Sequence, residues 1–146
     1  PNRCFDVGIA EANMIGIAAG LSAYGYKPIA FTFAPFATRR VCDQIAVSVA
    51  YAKQNVKIVG TDPGITAELN GGTHMSFEDV AVLRSIPNMI IYDAVDDIQL
   101  SQAIEQIMKL DTPVYLECQE RVLNQFLIRT INFIYLKQIS LKKELM

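Results

Sequence analysis

Histidine occurs once in this 146-residue chain, at His74, and cysteine only three times, at Cys4, Cys42 and Cys118, far apart and without C-x-x-C spacing. That scarcity argues against a zinc centre and a disulfide framework, and leaves buried free thiols in a cytoplasmic protein as the expectation. Charge is also sparse: 19% of residues are charged and the net charge is −2, with no basic stripe interleaved with aromatics, which argues against a nucleic-acid partner. The longest apolar stretch, around residues 14–23, is interrupted by Ser22 and two glycines and flanked by Glu11, so it is too short and too broken to span a membrane. Gly-x-Gly-x-x-Gly, the P-loop lysine motif, G-x-S-x-G and any His/Cys/carboxylate cluster with metal spacing are missing, so no metal site is expected on this chain. No leader sequence is visible, and the chain begins at Pro1 rather than Met, so a removed or upstream start is expected.

What is present is apolar. Hydrophobic residues make up 51% of the chain, enough for the core of one globular domain. Strand and helix patterns alternate along residues 1–118. Strands are expected at residues 4–8, 28–33, 56–61, 89–92 and 113–117, and helices at 11–24, 36–53, 77–85 and from Asp96 and Asp97 to about Leu110. Gly25 closes the first helix, Asp62-Pro-Gly ends the third strand, and residues 62–74 form a loop rich in Gly, Asn and Thr. Alternation of this kind predicts an α/β fold, a three-layer αβα sandwich with a mostly parallel sheet. Residues 119–146 differ: they hold none of the eight glycines or six prolines, and carry five Lys/Arg against two Asp/Glu. Leu123, Leu127, Ile131 and Ile134 permit an amphipathic helix there, while 131–136 reads equally as strand. A helical tail is the working expectation.

In parallel sheets ligands bind beyond the carboxyl ends of strands, and three segments with chemical potential fall at that edge. After Gly8, the lone carboxylate of Glu11 opens an otherwise apolar helix, where it either complements the helix N-terminus or, poorly solvated, offers a useful proton. Thr32-Phe33-Ala-Pro-Phe36 places two aromatics where a strand gives way to a helix, positions suited to walling a flat heteroaromatic ligand or to filling a core. Gly71-Gly-Thr-His74 puts the single histidine on a loop that a ligand can approach closely. The small residues Ala12, Gly16 and Gly20 share one helix face, suited to close packing inside the chain or against a partner helix.

Gly8-Ile-Ala-Glu11-Ala-Asn-Met14, Thr32-Phe33-x-x-Phe36, Gly71-Gly-Thr-His74 and Leu83-Arg-Ser-Ile-Pro-Asn-Met89, in this order and spacing, resemble the pyrimidine-binding domain of thiamine-diphosphate enzymes. The match is best to the transketolase group, and above all to its split form, in which this domain begins a separate subunit. The resemblance spans residues 2–118 and implies the pyrimidine-binding half of the thiamine-diphosphate-binding fold. It implies that Glu11 hydrogen-bonds the N1′ nitrogen of the cofactor's aminopyrimidine, so that the 4′-imino group can deprotonate the thiazolium C2. The activated cofactor then moves a two-carbon ketol unit from a ketose to an aldose. Phe33 and Phe36 would wall the aminopyrimidine, Arg39 stands where an aromatic often covers it, and His74 and Asn70 would meet substrate oxygens. Mg²⁺ and the diphosphate are expected on a partner, a diphosphate-binding transketolase subunit, in a homodimer or heterotetramer, with a sugar or sugar phosphate as substrate.

The chain also departs from that pattern. Asp62 stands where the family places a histidine near the substrate phosphate, and Leu116-Glu117-Cys118 where an arginine grips it; a carboxylate and a thiol repel a phosphate. Arg121 is close by in sequence but out of register for that grip. The family's first strand and helix, its diphosphate-binding domain and its C-terminal domain are all expected to be missing from this chain, which by itself should be inactive. A deoxyxylulose-phosphate synthase, a 2-oxoacid dehydrogenase β subunit and a non-catalytic α/β interaction module are the competing readings.

Overall fold

The computed structural model describes residues 3–119, 121–122 and 135–137. Its core is a six-stranded sheet of β1 (Cys4–Asp6), β2 (Ile29–Phe33), β3 (Lys57–Thr61), β4 (Ile90–Asp93), β5 (Val114–Cys118) and β6 (Tyr135–Lys137), in the order β1-β6-β2-β3-β5-β4. All five pairings are parallel. β2, β3 and β5 are almost wholly buried, and read in the sequence as near-continuous apolar runs for that reason.

Alternation along these strands sends side chains into two separate cores. On one face Ala30, Ile58 and Tyr115 pack with Met14, Ile15 and Ala18 of α1 (Glu11–Ala23), with Val41, Ile45 and Val49, and with Leu83 of α4 (Asp79–Arg84). On the other face Ile29, Phe31, Val59, Val114 and Leu116 meet Leu100, Ile104 and Ile107 of α5 (Asp97–Ile107). This is the expected three-layer sandwich. Asp96 caps α5 by accepting the Gln99 N–H at 2.7 Å, the geometry behind the helix start read at that aspartate. Gly25, at φ 89°, ends α1 and lets the Tyr26 N–H close back on the Leu21 carbonyl at 3.1 Å.

Two expectations need correction. The single helix expected over 36–53 is four short pieces: α2 (Ala34–Ala37), a 3-10 turn at Arg39–Val41, α3 (Cys42–Gln44) and a π-helical stretch at Ile45–Tyr51. Pro35 starts α2, and the Thr38 hydroxyl then donates to the Ala34 carbonyl at 2.7 Å while its backbone leaves helical angles, which breaks the run. The loop expected over 62–74 contains a 3-10 segment, Gly64–Asn70, tied down by the Gly64 N–H on the Ser76 carbonyl. Within the tail, residues 135–137 form strand β6, which pairs with both β1 and β2. Leu123, Leu127, Ile131 and Ile134 lie outside the described residues.

Candidate active site

Gly8, at φ 70°, turns the chain out of β1, with its N–H held by the Asp6 carboxylate at 2.8 Å. Three residues later α1 begins, and Glu11, its first residue, is buried to 3% exposure. No side chain caps this helix end. The Glu11 carboxylate is instead met from across the sheet edge, where Arg40 donates from Nη1 to Oε1 at 2.7 Å. The carboxylate is out of water, as expected, but not without a partner: the 3-10 turn at Arg39–Val41 brings a cation 29 positions away in sequence onto it. The same guanidinium lies 3.8 Å from the centroid of the Phe36 ring.

Phe33, Phe36 and His74 form a ring cluster beside it. Phe33 and Phe36 meet edge to face at 6.2 Å between centroids, and His74 contacts both, at 5.3 Å and 5.0 Å. The sequence-read residues Glu11, Phe33, Phe36 and His74 are thus brought together through Arg40, which sequence reasoning passes over. The available signal is the doubled Arg39-Arg40, of which only the first matches a family position.

Arg39, at the position where the family often has an aromatic over the pyrimidine, is engaged by the His74 loop. It donates to Glu78 Oε1 at 2.6 Å and to the Thr73 carbonyl at 3.4 Å, so it braces the loop that presents His74 rather than lying over Phe36. Thr73 Oγ1 also lies 3.0 Å from His74 Nδ1. Asn70 is exposed at the end of the 3-10 segment. Asp62, at φ 52° past the end of β3, lines an open depression of about 450 Å³ together with Ile65, Thr66, Glu68, Gln119 and Arg121. The arginine that is out of register in the sequence therefore reaches the same hollow as Asp62.

Behind the His74 loop is a buried polar chain that the sequence did not disclose. The Ser76 hydroxyl donates to Asp79 Oδ2, the Tyr115 hydroxyl donates to Glu117 Oε2 at 2.7 Å, and the two carboxyls lie near enough for Asp79 to act on Glu117. Asp79 and Glu117 are each 5% exposed. Burial pushes Glu117 up to about 7, with Asp79 and Asp93 adding repulsion against the opposing hydrogen bond from Tyr115. Tyr115 is raised well above its usual range, chiefly by burial and then by Glu117. Its hydroxyl crosses Gly60, where a Cβ would collide with it. Burial first, then Asp62, Glu117 and Asp93, push the Cys118 thiol up to about 12, so it is no thiolate at neutral pH.

Among the described residues no group of three or more His, Cys, Asp or Glu side chains could hold a metal ion, and no helix is long and apolar enough to cross a membrane. The family profile described as transketolase, pyrimidine binding domain matches residues 1–125. The chain belongs to this family. It is 60% identical over 121 residues to the 6-deoxy-6-sulfo-D-fructose transketolase subunit of Clostridium sp. (strain MSTE9), a match covering 83% of this chain and 38% of that protein. An apulose-4-phosphate transketolase subunit of Phocaeicola vulgatus is 36% identical over 115 residues, covering 79% and 37%. Among solved structures, a split gene transketolase described as an inactive beta4 tetramer superimposes with a TM-score of 0.71 at 40% identity, covering 80% of this chain and 37% of that one. The chain thus spans less than half the length of these relatives. Their family binds thiamine diphosphate and is of the transferase type.

Proposed function

We propose that this chain supplies the pyrimidine-binding half of a thiamine-diphosphate-dependent transketolase site, completed by a diphosphate-binding subunit that also brings the Mg²⁺. The observation that supports this most is the buried Glu11 carboxylate, which already accepts an N–H from a planar group seated on Phe36, with Phe33 and His74 alongside. A group with an N–H donor in a flat ring meets the same two features, so the residues present fit the aminopyrimidine. The bound cofactor would supply a carbanion-stabilising centre able to carry a two-carbon ketol unit between sugars.

The chain's own part is positioning and proton control. Glu11, withdrawn from water, would hold a proton at the ring nitrogen, where a solvated carboxylate would have to shed its water first. Phe33 and Phe36 would fix the ring plane, and His74 on its braced loop would hydrogen-bond substrate oxygen. The outward row Ala12, Gly16 and Gly20 is exposed, and it offers a partner helix a close approach. Asp62 and Glu68 outnumber Arg121 in the hollow beyond β3, which favours a sugar whose far end is neutral or a singly charged sulfonate over a phosphate of nearly two charges.

The test is ketol transfer by the chain assembled with a diphosphate-binding subunit, thiamine diphosphate and Mg²⁺. Glu11→Gln is expected to lower the rate by about a hundredfold or more, with the assembly intact. Thiamine-dependent activity that is absent in the wild type, or unchanged in the variant, would refute the reading. In the same assay, a strong preference for phosphorylated ketoses would overturn the substrate assignment alone.

A further inference from the structure

The contacts of Arg40 repeat, group for group, those assigned above to the aminopyrimidine. Its guanidinium is flat, lies 3.8 Å from the Phe36 centroid and donates an N–H to Glu11 Oε1 at 2.7 Å. A ring approaching the same carboxylate oxygen and the same aromatic face must displace it. The arginine side chain is 44% exposed while Glu11 is 3% exposed, so the cation has an open route to water and the carboxylate has none. Glu11 needs such a partner, because a buried carboxylate left without one is strongly unfavourable.

We infer that Arg40 competes with the cofactor's aminopyrimidine for Glu11 and Phe36, holding the site in a formed state and swinging into solvent when the ring binds. The inference rests on the thiamine reading of the preceding section. Arg40 therefore tunes cofactor affinity rather than adding to it: the ring binds only the fraction of molecules in which the guanidinium has left. With Arg40 seated in nine molecules of ten, the apparent affinity falls about tenfold below the intrinsic one.

The experiment measures thiamine diphosphate affinity by titration calorimetry on the assembly with its diphosphate-binding subunit, in saturating Mg²⁺, alongside the melting temperature of the full chain alone. Arg40→Met keeps the apolar stem and removes donor and charge. It is expected to bind thiamine diphosphate about tenfold more tightly than wild type. Its melting temperature without cofactor should fall by about 5–10 °C, and adding Glu11→Gln should restore most of that loss, because no buried charge is then left unpaired. Arg40→Gln, which keeps an amide donor and stays nearer to wild type in stability, should tighten binding severalfold. Weaker or unchanged cofactor binding in these variants would overturn the competition, since it would mean that ring and guanidinium sit in the site together. An unchanged melting temperature in Arg40→Met would overturn the pairing itself. If neither wild type nor variants bind thiamine diphosphate, the thiamine reading fails and the competition falls with it.

Discussion

Two charges are buried at opposite ends of β3 and its neighbours, and they are held in opposite ways. Lys57, at the amino end of β3, is 1% exposed, and its ammonium donates to Asn55 Oδ1, the Leu110 carbonyl at 3.0 Å and the Thr112 carbonyl at 2.7 Å. Three N–H groups meet three oxygens, two of them backbone that cannot move away. Burial and the nearby Lys27 pull its pKa down to about 8, which still leaves it charged at neutral pH. Glu11, at the carboxyl end, is 3% exposed but is held by one long side chain that is itself almost half in solvent. The difference separates architecture from function. A charge locked by main-chain oxygens closes the bottom of the sandwich, whereas a charge held by a movable cation can be handed to a ligand.

The largest expected effect comes from breaking the locked end. Lys57→Met should leave three oxygens without their donor and lower stability by about 3–5 kcal/mol, read as a fall in the denaturation midpoint of the chain. Thiamine diphosphate affinity of the variant that remains folded should stay at the wild-type value; a change there would mean that the two ends are coupled. An intermediate effect concerns the buried Glu117–Asp79 pair behind the His74 loop. Glu117 is raised from 4.5 to about 7 in the folded chain, so the native state keeps a proton that the unfolded chain has released across that window. Stability should therefore be greatest at or below about pH 4.5 as far as this group is concerned, decline as pH rises toward 7, and level off above it. Glu117→Gln, which has no carboxyl to titrate, should flatten that decline when melting temperature is followed from about pH 5 to about pH 8. A slope as steep as the wild type's would show that Glu117 is not its source.

The smallest effect sharpens the distinction within the site itself. Arg39→Gln removes the exposed ion pair to Glu78 and the bond to the Thr73 carbonyl, at a stability change of less than about 1 kcal/mol. Because those contacts hold the loop rather than the cofactor, KM for the sugar should rise by a few-fold while thiamine diphosphate affinity is unchanged. A loss of cofactor affinity instead would make Arg39 a cofactor-binding residue, as its place in the family pattern suggests.

The buried strands were legible because parallel strands covered on both faces are apolar along most of their length, as Ile29–Phe33 and Val114–Cys118 are apart from Thr32 and Glu117. The continuous helix expected after Phe36 was not, because Thr38 and the π-helical stretch are decided by packing of Val41, Ile45 and Val49 under the sheet rather than by local propensity. Strand β6 overlaps the 131–136 stretch, which reads equally as strand or helix, and local pattern does not choose between them. A short apolar segment takes strand geometry when a slot between two strands is open to it, and the slot is not written in the segment.

By itself the sequence determined the family, the alternation of strands and helices, and the placing of Glu11, Phe33, Phe36 and His74 at one edge, since each depends on short-range pattern and motif order. Only the tertiary structure decided what those residues meet. It set Arg40 rather than Arg39 on Phe36, gave Glu11 a cationic partner, and forced Asp79 against Glu117. Those pairings join residues 29 and 38 positions apart, and their energies come from desolvation and distance, which exist only after the chain has folded.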